Sequence, residues 1–208
     1  MNERSEGERD ADGRLAGERR ANVRRPGARG AGALAAALAA LAVAPPVRAE
    51  LPAVEPDGFV VRHQLDVPVD KAAAYARLLA IARWWDPAHT YSGRAESLSL
   101  AAAPGGCFCE QLADGGFVEH LRVVLAQPGT TLRLAGALGP LQELGVSGAL
   151  TFTLQEQRAD LTRVTLRYAV SGRTPKGLEG LAKPVDFVLG RALQRYATSL
   201  AAPDAARE

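Results

Sequence analysis

The chain has 208 residues, 47% of them hydrophobic and 23% charged, a balance that suits one globular domain with a sizeable core and excludes a fibrous or disordered chain. Its formal net charge of +2 comes from the N-terminus: residues 1–49 hold nine arginines and six acidic residues, leaving 16 basic and 17 acidic side chains from residue 50 onward. With no basic patch and no Lys/Arg run interleaved with aromatics in that part, the charge pattern argues against a nucleic-acid partner.

Residues 1–49 read as a cleaved signal peptide, with a basic stretch, an apolar stretch from Ala31 to Ala44 and a small-x-small site at Val47-Arg48-Ala49. The mature protein is then expected to begin at Glu50 and to be periplasmic or secreted. The apolar stretch is shorter than the roughly 20 residues a bilayer span needs, so no stable membrane insertion is expected after cleavage. Arg24-Arg25 is a weak twin-arginine signal, and the mixed-charge opening "MNERSEGERDADGRLAGERRAN" leaves room for a translation start further downstream.

Residues 50–57 form a short extension, and one domain is expected over 58–202. In "GFVVRHQLDV" (58–67), Phe59, Val61, His63, Leu65 and Val67 alternate with polar residues, the period of a half-buried strand. Asp70 is placed to cap a helix through "KAAAYARLLAIARWW", which Pro87 is expected to end. Six strands follow: "AESLSLA", "CFCEQLA", "FVEHLRVVLA", "TTLRLAG", "GALTFTLQEQ" and "DLTRVTLRYAVSG", separated by Gly, Pro and Asp turns. The closing "KPVDFVLGRALQRYATSL" opens on Pro184 and sets Val185, Val188, Leu189, Ala192, Leu193 and Tyr196 on one stripe of a long helix. This order predicts an α+β helix-grip fold, a curved antiparallel sheet of about seven strands wrapped around the C-terminal helix.

Within the hairpin "CFCEQLADGGFVEHLR", a two-residue loop at Asp114-Gly115 pairs 112 with 117, 110 with 119 and 109 with 120. One face then carries Phe108, Glu110, Leu112, Phe117, Glu119, Leu121 and Val123, and the other Cys107, Cys109, Gln111, Val118, His120 and Arg122. The first is the more apolar and is taken as the inner face, which sets Glu110 against Glu119. Cys107 and Cys109 admit three readings: a disulfide, a metal site completed by His120, or two unbridged thiols. Two residues apart on one strand they stand near the upper limit of disulfide spacing, and unbridged thiols are preferred.

Strand, helix, Trp-Trp, strands and a long closing helix, with the segments "WWDPAHTYSG", "GGCFCE", "VEH" and "GALGPLQ", resemble the START-like (SRPBCC) helix-grip superfamily over about residues 58–200. That superfamily includes the birch-pollen allergen, polyketide cyclase/dehydrase and chaperone-ATPase-activator types. The resemblance implies a cavity between sheet and terminal helix, with Trp84 and Trp85 at its mouth and Asp86, His89 and Tyr91 offering polar contacts. Phe108 and Phe117 would line it from the hairpin. The competing readings are that a tryptophan plugs the core and that Asp86-Pro87 is only a turn. His63 faces inward, where a core histidine bonded to a backbone carbonyl is preferred over a ligand contact.

No Gly-x-Ser-x-Gly, phosphate loop or His-Glu-x-x-His is present, which removes those hydrolase, nucleotide and zinc-protease chemistries. The leading expectation is a secreted protein that binds a small hydrophobic or amphipathic molecule, with no metal or organic cofactor. The second is a cofactor-free cyclase/dehydratase-like enzyme using Glu110 and Glu119 as acid and base. The third, an interaction module like the chaperone-ATPase activators, is disfavoured by export, which would keep the chain from a cytosolic chaperone.

Overall fold

A computed structural model describes residues 48–201. The expected leader lies outside the described residues, apart from Arg48 and Ala49. The elements are β1 (Arg48–Glu55), β2 (Gly58–Val67), α1 (Lys71–Leu79), β3 (Leu98–Leu100), β4 (Cys107–Gln111), β5 (Phe117–Gln127), β6 (Thr131–Ala135), β7 (Ser147–Arg158), β8 (Leu161–Ser171) and α2 (Glu179–Ala201). They form the helix-grip arrangement: one curved, unclosed antiparallel sheet of eight strands in the order β1-β2-β8-β7-β6-β5-β4-β3, with α2 closing it.

The eighth strand is β1, which runs antiparallel along β2 across the expected cleavage point and over the expected extension. Its register shifts between Glu50 and Ala53, around Pro52. Proline cannot donate to a ladder and is tolerated at an edge or a bulge, and β1 offers both, so its sequence carries no clean alternation to read.

β2 buries every second residue from Phe59 to Val67, as its alternation predicts. Asp70 caps α1 by accepting from the Ala73 N–H at 2.8 Å. The helix stops at Leu79 rather than reaching Pro87, and Trp84 accounts for it. The indole Nε1 donates to the carbonyls of Arg77 (3.1 Å) and Leu78 (3.3 Å), the acceptors that the next two amides of a continuing helix, those of Ile81 and Ala82, would have used. A short 3₁₀ turn over Ile81–Arg83 then carries the chain away.

α2 begins at Glu179, a turn before Pro184. Leu189, Ala192, Leu193 and Tyr196 are buried as the stripe predicts, and Tyr196 donates its hydroxyl to the Ala74 carbonyl of α1 at 2.8 Å. His63 lies beneath this helix, its Nε2 at 3.0 Å from the Asp186 backbone oxygen and 2.9 Å from the Asp186 carboxylate. Gly190 makes room for the ring: a Cβ there would come within 2.8 Å of its Cε1. No helix among the described residues is long and apolar enough to cross a membrane.

Candidate functional site

Between α1 and β3 the chain forms a braced loop. Asp86 caps a 3₁₀ turn over Pro87–His89 by accepting from the Ala88 N–H at 3.0 Å, and the Trp85 indole donates to the His89 carbonyl at 2.9 Å. From α2, Arg195 donates to the Trp84 carbonyl at 3.1 Å and sits 3.9 Å from the Asp86 carboxylate. The far end of the loop is tied to β4: Glu110, with no exposed surface, accepts the backbone N–H groups of Tyr91 (3.1 Å) and Ser92.

The β4–β5 hairpin departs from its expected register in one informative way. Phe108 pairs with Leu121 and Cys107 with Arg122, as the two-residue loop requires, but nearer the tip Cys109 pairs with Glu119, Glu110 with Val118 and Gln111 with Phe117. Residues 112–116 make the turn, in which Asp114 (φ 59°) and Gly115 (φ 80°) are left-handed and the Leu112 N–H bonds the Gly116 carbonyl at 2.8 Å. A one-residue slip turns side chains to the opposite face, and the two registers meet in a bulge whose unpaired residue is His120. Glu119 therefore turns outward, where it bonds Arg122 at 2.7 Å, and His120 turns inward. The expected Glu110–Glu119 pair does not form.

In its place stands a Glu110–His120 pair, Nε2 to Oε2 at 2.9 Å. Phe108 and Tyr91 both pack against the imidazole, with centroids at 4.7 and 5.9 Å. Burial pushes the Glu110 carboxyl up, but the hydrogen bonds from Ser92, Tyr91 and His120 outweigh it and hold it below its ordinary value. Burial lowers the His120 pKa, and the Glu110 charge beside it only partly offsets this. At neutral pH the carboxylate is ionised and the imidazole neutral. Nε2 then carries the proton it donates to Glu110, and the buried Nδ1, which has no hydrogen-bond partner, carries a free lone pair.

His120 lines a cavity of about 390 Å³. The braced loop contributes Trp85, His89 and Tyr91, α2 contributes Leu181, Val185 and Val188, and the β6–β7 connection closes the third side with Leu138 to Leu144. That connection is fixed at two points. Tyr168 accepts from the Leu138 N–H at 2.9 Å, and Gln142 donates to the Glu119 carbonyl at 2.8 Å, satisfying backbone at the bulge itself. An apolar pocket of a few hundred Å³ with one or two convergent polar groups is the usual form of a small-molecule site.

Of the predicted site residues, Trp85, His89 and Tyr91 come together at the cavity. Trp84 does not: it is 2% exposed, packed edge-on against Tyr196 at 5.6 Å. Asp86 serves as a cap, His63 sits under α2, Phe108 lies behind His120, and Phe117 is 69% exposed near the hairpin tip. Cys107 and Cys109 are joined in a disulfide with Cα atoms 5.4 Å apart, against the preferred reading of free thiols. Two extended residues would set them about 6.6 Å apart; beside a bulge a strand twists and shortens, which brings the pair within bridging distance. The metal set of Cys107, Cys109 and His120 does not assemble, since His120 is on the opposite face. His120 as a cavity residue, the Leu138–Leu144 wall and the Arg195 brace are not signalled by the sequence pattern. The Gly-Gly after Asp114 and the Gly-Pro of "GALGPLQ" are the local signals that could have flagged the longer turn and the wall.

No protein-family model matches the chain, and no curated protein matches it. Solved structures do. A conserved protein of unknown function from Enterococcus faecalis aligns at 13% identity over 77% of this chain and 80% of its own, with a TM-score of 0.51. A Rhizobium leguminosarum protein aligns at 15% identity over 74% and 97%, TM-score 0.50, and CalU16 from Micromonospora echinospora at 12% over 76% and 87%, TM-score 0.49. At such identities the likeness of the first two shows a shared fold, the antiparallel sheet closed by a C-terminal helix.

Proposed function

We propose that this chain is a START-like binding protein whose cavity takes a small hydrophobic or amphipathic molecule. The observation that carries this reading is an apolar cavity lined by His120, whose Nδ1 is buried and without a hydrogen-bond partner. A ligand hydroxyl or N–H donating to that nitrogen would be oriented by it, while the rest of the ligand is held by burial alone. Native mass spectrometry of protein purified from its own host tests the reading. A retained molecule of up to a few hundred daltons is expected, lost in Val188→Trp, which fills the cavity; a wild-type chain that arrives empty and takes up no apolar dye would overturn it. Residues 1–49 extend the proposal to an exported protein, checked by N-terminal sequencing that finds Glu50 first.

A second reading, acid–base catalysis of the cyclase/dehydratase kind, is favoured by the Glu110–His120 pair. A neutral imidazole with a free Nδ1 accepts a proton from a substrate, and the ionised Glu110 stabilises the imidazolium that forms. The retained molecule discriminates: chemically unchanged over time it supports the carrier, and converted in wild type but not in His120→Gln it supports the enzyme.

A further inference from the structure

The bulge that turns His120 inward also assembles a second group of side chains on the opposite face of the sheet, away from both helices. Cys107 and Cys109 are half-buried there, one strand in from the edge formed by the three-residue β3. Arg122 is the cross-strand partner of Cys107 and Glu119 that of Cys109. The two sulfurs and a Glu119 carboxylate oxygen lie within 4.8 Å of one another, and Arg122 holds that carboxylate at 2.7 Å. A disulfide stabilises a fold the more, the longer the loop it closes. This one closes a loop with one residue between its cysteines, so it constrains little of the unfolded chain, and a partly exposed pair with an arginine on the neighbouring strand is a setting that favours a thiolate.

We infer that Cys107–Cys109 is an exchangeable disulfide that reacts with dithiols. An incoming thiolate attacks Sγ of Cys109; the protein S–S bond breaks, and its electron pair leaves on Sγ of Cys107, whose cross-strand partner is Arg122. The mixed disulfide on Cys109 is resolved by the second thiol of the same dithiol, which closes its own S–S bond and releases Cys109 as a thiolate. The two protons lost by the dithiol end on the two cysteines, with Glu119 placed to pass one to Cys109. The net change is one protein disulfide reduced and one dithiol oxidised, and the reverse run oxidises the protein at the expense of a small disulfide.

The test uses the full chain with dithiothreitol as the probe in native buffer, followed by maleimide trapping and mass spectrometry. Two modified cysteines per folded chain are expected, with circular dichroism unchanged, and the bridge is expected to re-form on adding oxidised dithiothreitol. Thiols that appear only when denaturant unfolds the protein would overturn the inference. In the Cys109→Ser background the remaining Cys107 thiol is expected to attack an aromatic disulfide reagent about threefold more slowly once Arg122→Gln is added, because loss of the cation lowers the thiolate fraction by more than the greater nucleophilicity of the thiolate returns. Arg122→Lys is expected to restore the rate. Equal rates with and without Arg122 would overturn the assigned role of the cation.

Discussion

Glu110→Gln separates the two jobs given to that carboxylate, bracing the loop and holding His120. The wild-type group accepts from two backbone N–H donors and one imidazole N–H, with no water access. A glutamine supplies one carbonyl oxygen and replaces the other acceptor by a donor. If the carbonyl keeps Ser92, the amide faces the Tyr91 N–H, which is left without an acceptor, while the imidazole can change tautomer and accept. An orphaned buried donor costs about 1–3 kcal/mol, and replacing a charged acceptor by a neutral one costs about 1 more. The sum of about 2–4 kcal/mol lowers Tm by about 5–15 °C in a domain of this size, and hydrogen exchange at Tyr91 and Ser92 should accelerate before the rest of the protein melts.

The pH dependence follows from the same geometry. Glu110 is held below its ordinary 4.5, so its contribution is complete above 4.5 and is lost as the pH falls through the depressed folded value. His120 is held below its ordinary 6.5, so below 6.5 the unfolded chain binds a proton that the folded chain refuses, and stability falls further with acid. Wild type should therefore lose stability continuously below 6.5, whereas Glu110→Gln keeps the His120 part and loses the Glu110 part of the slope below 4.5. Denaturant midpoints taken across this range check it. A variant that melts within a degree of wild type, with unchanged exchange at Tyr91, would refute the anchoring role.

The tryptophans should divide in function: in Trp84→Phe an apolar ligand is expected to change the emission of the remaining Trp85, and in Trp85→Phe it should leave Trp84 unchanged. Trp84→Ala should cost about 3–5 kcal/mol in a denaturant titration, as a core truncation does, with ligand affinity retained in the fraction that stays folded. Gly190→Ala should destabilise despite the roughly 1 kcal/mol gain in helix propensity, because the new Cβ meets the His63 ring at 2.8 Å; a chain stabilised by this change would show that the ring can move aside. Tyr168→Phe removes the acceptor of the Leu138 N–H and should loosen the β6–β7 wall at about 1–3 kcal/mol, and in wild type burial pushes this hydroxyl up to about 12, so its phenolate absorbance should appear only at strongly alkaline pH.

How much of this was legible depended on whether a signal was local. β2 was readable because five inward positions alternate without interruption, and α2 because its stripe repeats over several turns. The end of α1 was not, because the residue that stops it, Trp84, acts through its side chain on carbonyls six and seven positions back. A scan for Pro and Gly finds Pro87 and misses a competing donor. β1 escaped for a related reason: Pro52 breaks its alternation, and its partner strand supplies the pairing that defines it. Of the cavity, the loop residues were found because aromatic and polar side chains crowd after a helix, whereas the Leu138–Leu144 wall reads as an ordinary connection until the fold brings it over β5.

The hairpin is where local and tertiary preferences compete most directly, and one residue decides the site. A two-residue turn at Asp114-Gly115 would have kept a single register along β4 and β5, with Glu110 facing Glu119 in a dry interior, where like charges repel. The longer turn moves the tip by one residue, and the bulge at His120 restores the original pairing by Phe108 and Leu121, so the core-facing aromatic keeps its place. The exchange replaces two repelling carboxylates by one carboxylate and a neutral imidazole, and sends Glu119 to a guanidinium in water. Gln142 then covers the carbonyls of Glu119 and His120 that the interrupted ladder leaves open. A variant that restores the expected register, by shortening the turn through deletion of Gly116, should therefore lose more than a turn contributes: His120 would turn away from the cavity, Glu119 would be forced against Glu110, and Gln142 would lose its acceptors. The imidazole resonances report the outcome, since a His120 ring still shielded by Phe108 and Tyr91 in the deletion variant would mean that the bulge is fixed by β5 and its neighbours rather than by the turn.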